Sequence, residues 1–290
     1  MRQRRCLTSA AVLALALAAC SDDRSSPNGA EGFDTSSGVF RNGDVPLAYV
    51  LDVPRGRGPH PAVVLVHGSG RTTKEQQLFL ASRFVERGFA VLRYDKRGVG
   101  SSGGVYSGVG IQNSDTMFPL LASDAARAIE HLAAQPRIDQ SRLGLVGVSQ
   151  AGWIIPIAAS LAPVTDFAVL LSGPTVSVGI ENYYSDLVEN NQATLDGVSQ
   201  KLAAYDGPHG FDPLEHLRRM GQPTLWLFGG KDRSIPTPEC VARLEELIAA
   251  ERKQFAIRVY PFAGHDLGPF IEPDLDAWLE ATVLRGRLTR

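Results

Sequence analysis

The segment Leu143–Leu161 constrains the fold more than any other part of the chain. An apolar run, Leu143 to Val148, stops at Ser149, and a second apolar run with helical character, Trp153 to Leu161, begins almost at once. Small residues, Gly147 and Ala151, sit two positions to either side of the serine. This pattern reads as a strand, one sharp strained turn and a helix, with the serine at the apex. Strand and helix pass close together at such a turn, so its neighbours must be small. The helix start also offers backbone N–H groups and the positive end of its dipole. The usual pattern, G-x-S-x-G, has glycine at its last position; here Ala151 adds one methyl. Alone, the pentapeptide also fits a merely tight corner, so its meaning depends on what the other strand ends carry.

The rest of the chain alternates strands with helices. Phe33 to Arg41 and Val45 to Val53 read as paired strands, with Asn42-Gly43 as the hairpin turn. Ala62 to Val66 is a valine-rich run of the kind buried on both faces of a parallel sheet. Further strands are expected at Phe89 to Tyr94, Phe167 to Leu171, Thr224 to Phe228 and Ala256 to Tyr260. Helices are expected at Thr73 to Arg87, Phe118 to Gln135, Thr237 to Glu251 and Pro273 to Leu284. Such alternation predicts an α/β fold, a mostly parallel sheet flanked by helices, with its site at the carboxyl ends of the strands. Residues 175–221 break the rhythm with helical patches and Tyr183, Tyr184, Tyr205 and Phe211. They read as a small helical lid inserted over that site, and the aromatics either line a pocket or form the lid's own small core.

The amino terminus stands apart. Arg2, Arg4 and Arg5 precede an apolar stretch, Leu7 to Ala19, that closes on Cys20. It is too short to span a membrane and suits the core of a signal peptide. Leu17-Ala18-Ala19-Cys20 resembles the lipobox of bacterial lipoproteins, which implies lipidation of Cys20 and attachment to a membrane of the bacterial cell envelope. An ordinary secretory signal cut after Ala16-Leu17-Ala18 is the alternative. The expected organisation is a signal peptide at 1–19, an anchor and polar tether at 20–33, and one domain at 34–290. Of the three cysteines, Cys6 leaves with the signal, so with Cys20 lipidated Cys240 has no intramolecular partner and the fold relies on no disulfide. A net charge of −2 without basic clusters gives no sign of a nucleic-acid partner.

A serine hydroxyl is a poor nucleophile until a base takes its proton, and that base must be oriented by a third group. Phe228-Gly229-Gly230-Lys231-Asp232 places an aspartate after one strand, and Tyr260-Pro261-Phe262-Ala263-Gly264-His265-Asp266 places a histidine after the next. Asp266 and Asp206 are weaker stand-ins for Asp232. The order Ser149, Asp232, His265 is that of α/β-hydrolases. With His67-Gly68-Ser69-Gly70 and Tyr94-Asp95-Lys96-Arg97-Gly98-Val99-Gly100-Ser101-Ser102, the chain resembles the α/β-hydrolase family over about residues 35 to 287. It is most similar to the esterase-like and aminopeptidase-like serine hydrolases. The resemblance implies Ser149 as nucleophile, His265 as base and Asp232 as its orienter. It implies the backbone N–H groups of Gln150 and Ser69 as the oxyanion hole, with Gly68 or Gly70 as alternatives to Ser69. His67 reads as structural.

Gly98 to Gly103 fits G-x-G-x-x-G but is followed by more loop rather than the helix a dinucleotide requires. No H-E-x-x-H or other metal-ligand spacing occurs, so neither cofactor nor metal is expected. The expected activity is that of a carboxylesterase on small to medium acyl substrates. The alternatives are an aminopeptidase or another amide or thioester hydrolase, in which Glu181, Asp186 or Glu189 would hold a substrate amine, and a non-catalytic binding protein on the same fold.

Overall fold

A computed structural model describes residues 32–195 and 197–285. The expected signal segment, Cys20 and nearly all of the tether lie outside the described residues. Eight strands form one sheet in the order β1-β2-β4-β3-β5-β6-β7-β8. They are β1 (Phe33–Asn42), β2 (Val45–Pro54), β3 (His60–Val66), β4 (Ala90–Tyr94), β5 (Ile138–Val148), β6 (Phe167–Leu171), β7 (Thr224–Gly229) and β8 (Phe255–Tyr260). β1 and β2 pair antiparallel through the Asn42-Gly43 turn, where Gly43 has φ 57°. β2 also runs antiparallel to β4, and every other pair is parallel.

The helices are α1 (Leu78–Val85), α2 (Ser114–Ala133), α3 (Ala151–Leu161), α4 (Val178–Glu189), α5 (Ser199–Ala203), α6 (Leu214–Arg219), α7 (Thr237–Glu251) and α8 (Glu272–Leu279). α2, α3 and α7 pack on one face of the sheet through Phe118, Ile129, Trp153, Ile155 and Leu244. α1 and α8 cover the other through Phe84, Leu275 and Leu279. With both faces covered, all of β4, β6 and β7 is buried, which is why these strands read as unbroken apolar runs. Residues 151–159 of α3 are all buried, so this helix is apolar on every side.

Some element boundaries differ from expectation. The helix expected from Thr73 opens as a 3₁₀ turn, Lys74–Gln77, because Asp95 captures the Lys74 N–H at 2.9 Å and ties the chain down there. α2 starts four residues before Phe118, where Ser114 donates to the Ile111 carbonyl at 3.0 Å and accepts from the Phe211 N–H at 2.9 Å. The last helix finishes as a π-helical turn, Glu280–Leu284.

The insertion at 175–221 divides in two. α4 and α5 form a separate small core of Tyr184, Leu187, Val188, Val198 and Leu202. The Tyr183 and Tyr205 rings lie 5.0 Å apart, tilted by 31°. Phe211 and Leu217 instead join the main core beside Phe118 and α3, so the end of the insertion is part of the body.

Candidate active site

β5 ends at Val148, and the chain turns through Ser149 with φ 53°, a left-handed conformation unusual for a residue with a side chain. The Ser149 N–H donates to the Leu171 carbonyl at 2.9 Å, pinning the turn to the end of β6. A Cβ on Gly147 would stand 2.3 Å from the Ala151 methyl, and one on Gly152 would stand 2.6 Å from the Pro174 backbone. The methyl of Ala151 is thus accommodated because Gly147 has none, and the second obligatory glycine lies one position later, at 152.

Asp232 follows β7 and is only 1% exposed. Its Oδ1 accepts from the backbone N–H groups of Ser234 (2.8 Å) and Ile235 (2.9 Å), which leaves Oδ2 facing His265 Nδ1 at 2.8 Å. A carboxylate can only accept, so Nδ1 carries the ring proton and Nε2 is left with a free lone pair. Burial works against the imidazolium, but the Asp232 hydrogen bond and charge, aided by Glu181 and Asp266, hold the His265 pKa above its ordinary value. Asp206 and Asp266 are exposed, and Asp266 accepts from the Gly268 N–H at 2.9 Å.

The end of β6 ties these groups together. Leu171 holds the serine turn, and the next residue, Ser172 (φ 47°), donates its hydroxyl to the His265 carbonyl at 2.8 Å. Ser172 gave no signal in the sequence, because a positive φ on serine cannot be read from a string of letters. The Tyr184 hydroxyl donates to the Asp232 carbonyl at 2.5 Å, joining the insertion to the aspartate loop.

Ser149, Gln150 and Ser69 line one cavity of about 150 Å³. Among the described residues, the backbone N–H groups of Ser69 and Gln150 have no acceptor. Phe118, Trp153, Val178 and Ile235 supply apolar walls, and Glu181 and Asn182 come from α4. None of the four aromatic residues singled out in 175–221 lines this cavity. Phe118 and Trp153 do, and in the sequence they were indistinguishable from ordinary helix-face residues. Glu181 is set apart from its acidic neighbours: burial pushes its carboxyl up to about 7, against the opposing pull of His265, and no hydrogen bond reaches it among the described residues. A second cavity of about 330 Å³ is lined by His265 together with Gly68, Phe79, Leu80, Leu171 and Ile271. A further cavity, of about 490 Å³, lies beside the starts of β6 and β7, and no histidine or cysteine lines it.

His67 is buried, with Nε2 2.6 Å from the Tyr94 carbonyl, and burial together with nearby Lys96 lowers its pKa to about 3. It is a neutral brace for the loop that carries Ser69. In the glycine-rich loop, a Cβ on Gly98 would stand 2.5 Å from the Tyr106 backbone and one on Gly100 would stand 2.4 Å from the Asp95 carboxylate. These glycines serve close packing, and the next helix, α2, opens only at Ser114.

A mostly parallel sheet with a strained serine after β5, an aspartate after β7 and a histidine after β8 defines a serine hydrolase of the α/β-hydrolase class. The model of the prolyl oligopeptidase family matches residues 74–274, and the chain belongs to that family. Over 242 residues the chain is 26% identical to Esterase EstD of Thermotoga maritima, covering 71% of this chain and 55% of that protein. Over 241 residues it is 26% identical to acyl-coenzyme A thioesterase 1 of Mus musculus, covering 77% of this chain and 51% of that one. The chain thus spans about half the length of these curated relatives. Acetyl xylan esterase 1 from Thermoanaerobacterium sp. JW/SL YS485 superposes with a TM-score of 0.64 at 20% identity, covering 88% of this chain and 86% of that one. An acylaminoacyl peptidase of Pyrococcus horikoshii gives 0.65 at 15%, covering 88% and 42%. At such identities these two structures establish the fold.

Proposed function

We propose that the protein is a carboxylesterase that works through an acyl-enzyme, with Ser149 as nucleophile, His265 as general base and Asp232 as its orienter. The observation that carries this reading is the buried Asp232, bonded twice to backbone N–H and once to His265 Nδ1, after the carboxyl ends of β7 and β8 in the sheet whose β5 ends on a positive-φ serine. His265 Nε2 takes the Ser149 proton as Oγ attacks the ester carbonyl. The developing oxyanion is received by the Gln150 and Ser69 N–H groups. His265 then passes the proton to the departing alkoxide, and water repeats the sequence in reverse to free the acid. Each oxyanion donor is worth about 10²–10³ in rate.

The two cavities support a division of the substrate. The one with the nucleophile and the oxyanion donors takes the acyl group, and its 150 Å³ suits a short one. The cavity lined by His265 lies where the leaving alcohol must receive its proton, and its larger, mostly apolar lining suits an apolar alcohol. Fluorophosphonate labelling of the protein, with Ser149→Ala and His265→Ala beside it, tests the reading. Labelling and short-acyl ester turnover should require both residues. Ester turnover surviving in pure Ser149→Ala would sink it.

Glu181 favours a second reading, in which the acyl group carries an amine and the bond cleaved is an aminoacyl ester or amide. A carboxylate without a partner in the acyl cavity matches a short cationic acyl group. Alanyl over propionyl preference, lost in Glu181→Gln, is the outcome that would decide for it.

We also propose that Cys20 is lipidated and anchors the domain outside the cytoplasm. Detergent-phase partitioning should be lost in Cys20→Ala, and unchanged partitioning would remove the anchor.

A further inference from the structure

Lys96 is 1% exposed, yet among the described residues no carboxylate pairs with it. Its neighbours Asp95 and Arg97 are both paired. Asp95 takes Lys74 Nζ at 2.9 Å and the Ser101 N–H at 2.8 Å, and Arg97 makes two 2.6 Å bonds to Asp124. The Lys96 ammonium instead donates to the Gly68 carbonyl at 2.7 Å and the Gly70 carbonyl at 2.8 Å, and its Nζ lies 3.4 Å from Gln150 Oε1. The Tyr106 ring lies beneath it, 4.5 Å from the ammonium. Burying a charge without a counter-ion is costly, and for stability alone an apolar residue of similar shape would serve as well or better. The cost therefore points to a task, and the atoms Lys96 touches say which. The three oxygens its ammonium meets all belong to the two segments that carry the proposed oxyanion donors, and only the Tyr106 ring comes from elsewhere.

We propose that Lys96 is a positioning residue for the oxyanion hole, holding the Gly68 carbonyl so that the Ser69 N–H of the same peptide plane is aimed into the acyl cavity. The peptide is trans, since the one cis bond among the described residues is Gly58-Pro59, and a trans plane points its C=O and N–H in opposite directions. A cation on the oxygen fixes the plane's rotation and deepens its polarisation, which strengthens the N–H as a donor. The bond to Gln150 links the same cation to the residue that carries the second donor. The inference rests on the esterase reading for the role of Ser69, and adds to it the group that acts through Ser69.

The charge state of Lys96 gives this role a signature. Burial brings its pKa down to about 7. The other charged or titratable groups around it are His67, Asp95, Lys74, Tyr106 and Arg71. Burial and Lys96 lower His67 to about 3. Asp95 is held below the usual carboxylate range despite its burial, by the Lys74 and Ser101 N–H groups and the Lys74 charge. Burial opposes the Lys74 charge, but Asp95 and Glu75 raise its pKa. Burial also raises Tyr106. A loss of rate that sets in near pH 7 and is absent when Lys96 alone is replaced is traceable to Lys96, because Glu181, pushed up to about 7 in the acyl cavity, and His265, held above its ordinary value, both remain in that variant. The sign for stability is opposite. The folded state holds this proton less tightly than the unfolded chain, so Lys96 makes stability rise with pH from about 7 upward.

The test reads the rate of Ser149 phosphonylation by a fluorophosphonate, which needs no ester. A wild type that labels but turns over no ester would fail the esterase reading and leave this measurement intact. In Lys96→Met, with folding checked by thermal unfolding, labelling should slow about ten- to a hundredfold, short of the cost of deleting a donor outright. The wild-type decline in labelling above pH 7 should be absent from that variant, as should the matching rise in its thermal midpoint. Gln150→Glu keeps the lysine and supplies a counter-ion, so it should move the decline upward by about 1–3 pH units. A folded Lys96→Met that labels at the wild-type rate, or that keeps the alkaline decline, overturns the proposal. Should Lys96→Met not fold, an alkaline decline left unmoved in Gln150→Glu overturns it equally.

Discussion

Asp232 spends both carboxylate oxygens, one on two backbone N–H groups and one on His265, and cannot rotate without losing all three bonds. Ser172 fixes the same histidine from its backbone side. A base held this way titrates above the ordinary histidine value, because the Asp232 bond and charge outweigh the penalty of burial. The base must be unprotonated to accept the serine proton, so kcat/KM should rise with pH along a limb centred above about 6.5. The linkage runs the other way for stability. The raised folded-state pKa contributes stability below the unfolded value, and that contribution is lost as pH climbs through the limb. In Asp232→Asn the limb should move down and kcat should fall by about 10⁴, because an amide at this position permits the wrong tautomer. A pH–rate profile of the two proteins measures both effects, and a limb that stays in place would separate Asp232 from the base.

At the scale of elements, the serine turn depends on how closely β5 and α3 pass. Gly147→Ala would bring two methyls to 2.3 Å, so the variant should lose about 1–3 kcal/mol and much of its labelling. Adding Ala151→Gly should restore part of the loss, leaving the Cβ contact of 3.0 Å to the Val66 carbonyl, and denaturant melts of the single and double variants measure the recovery. The glycine-rich loop after β4 is held to α2 by the buried Arg97–Asp124 pair, which also takes the Asn42 side chain at 2.8 Å. Asp124→Ala leaves the guanidinium buried and unpaired, and should cost about 3–5 kcal/mol in the same melts. The turn was legible beforehand because a strand, a turn and a helix leave marks in adjacent residues. Ser149, Asp232 and His265 each close or follow an apolar run, so their strand-end positions were legible too. What escaped was set by packing across the fold. Phe118 and Trp153 reach the cavity from helices whose buried faces looked alike, and Glu181 is distinguished from Asp186 only by the rotation of α4. Lys96 stood in plain view within a family motif, but the carbonyls it binds lie more than twenty residues earlier in the chain.

For the whole molecule, the direction of β1 fixes where an amino-terminal anchor would stand. β1 runs antiparallel to β2, β2 antiparallel to β4, and β4 parallel to β3 and thence to β5, so β1 and β5 run the same way. Phe33 therefore opens the sheet at the amino ends of the parallel strands, while Ser149, Asp232 and His265 follow their carboxyl ends. Twelve residues, 21–32, separate Cys20 from Phe33 and span at most about 40 Å when extended. Among the described residues no helix is long and apolar enough to cross a membrane. A domain tethered at one end of its sheet presents the other end to water. The lipidated protein on vesicles should thus cleave a water-soluble short-acyl ester as fast as Cys20→Ala does in solution. A fluorophosphonate coupled to a bulky soluble carrier should label both forms within about twofold, since the anchor adds no term to the site's transition-state binding. Esters dissolved in the bilayer should be poor substrates by comparison. Slow labelling of the vesicle-bound form by the bulky probe, together with a preference for bilayer esters, would turn the domain over and place its site against the lipid.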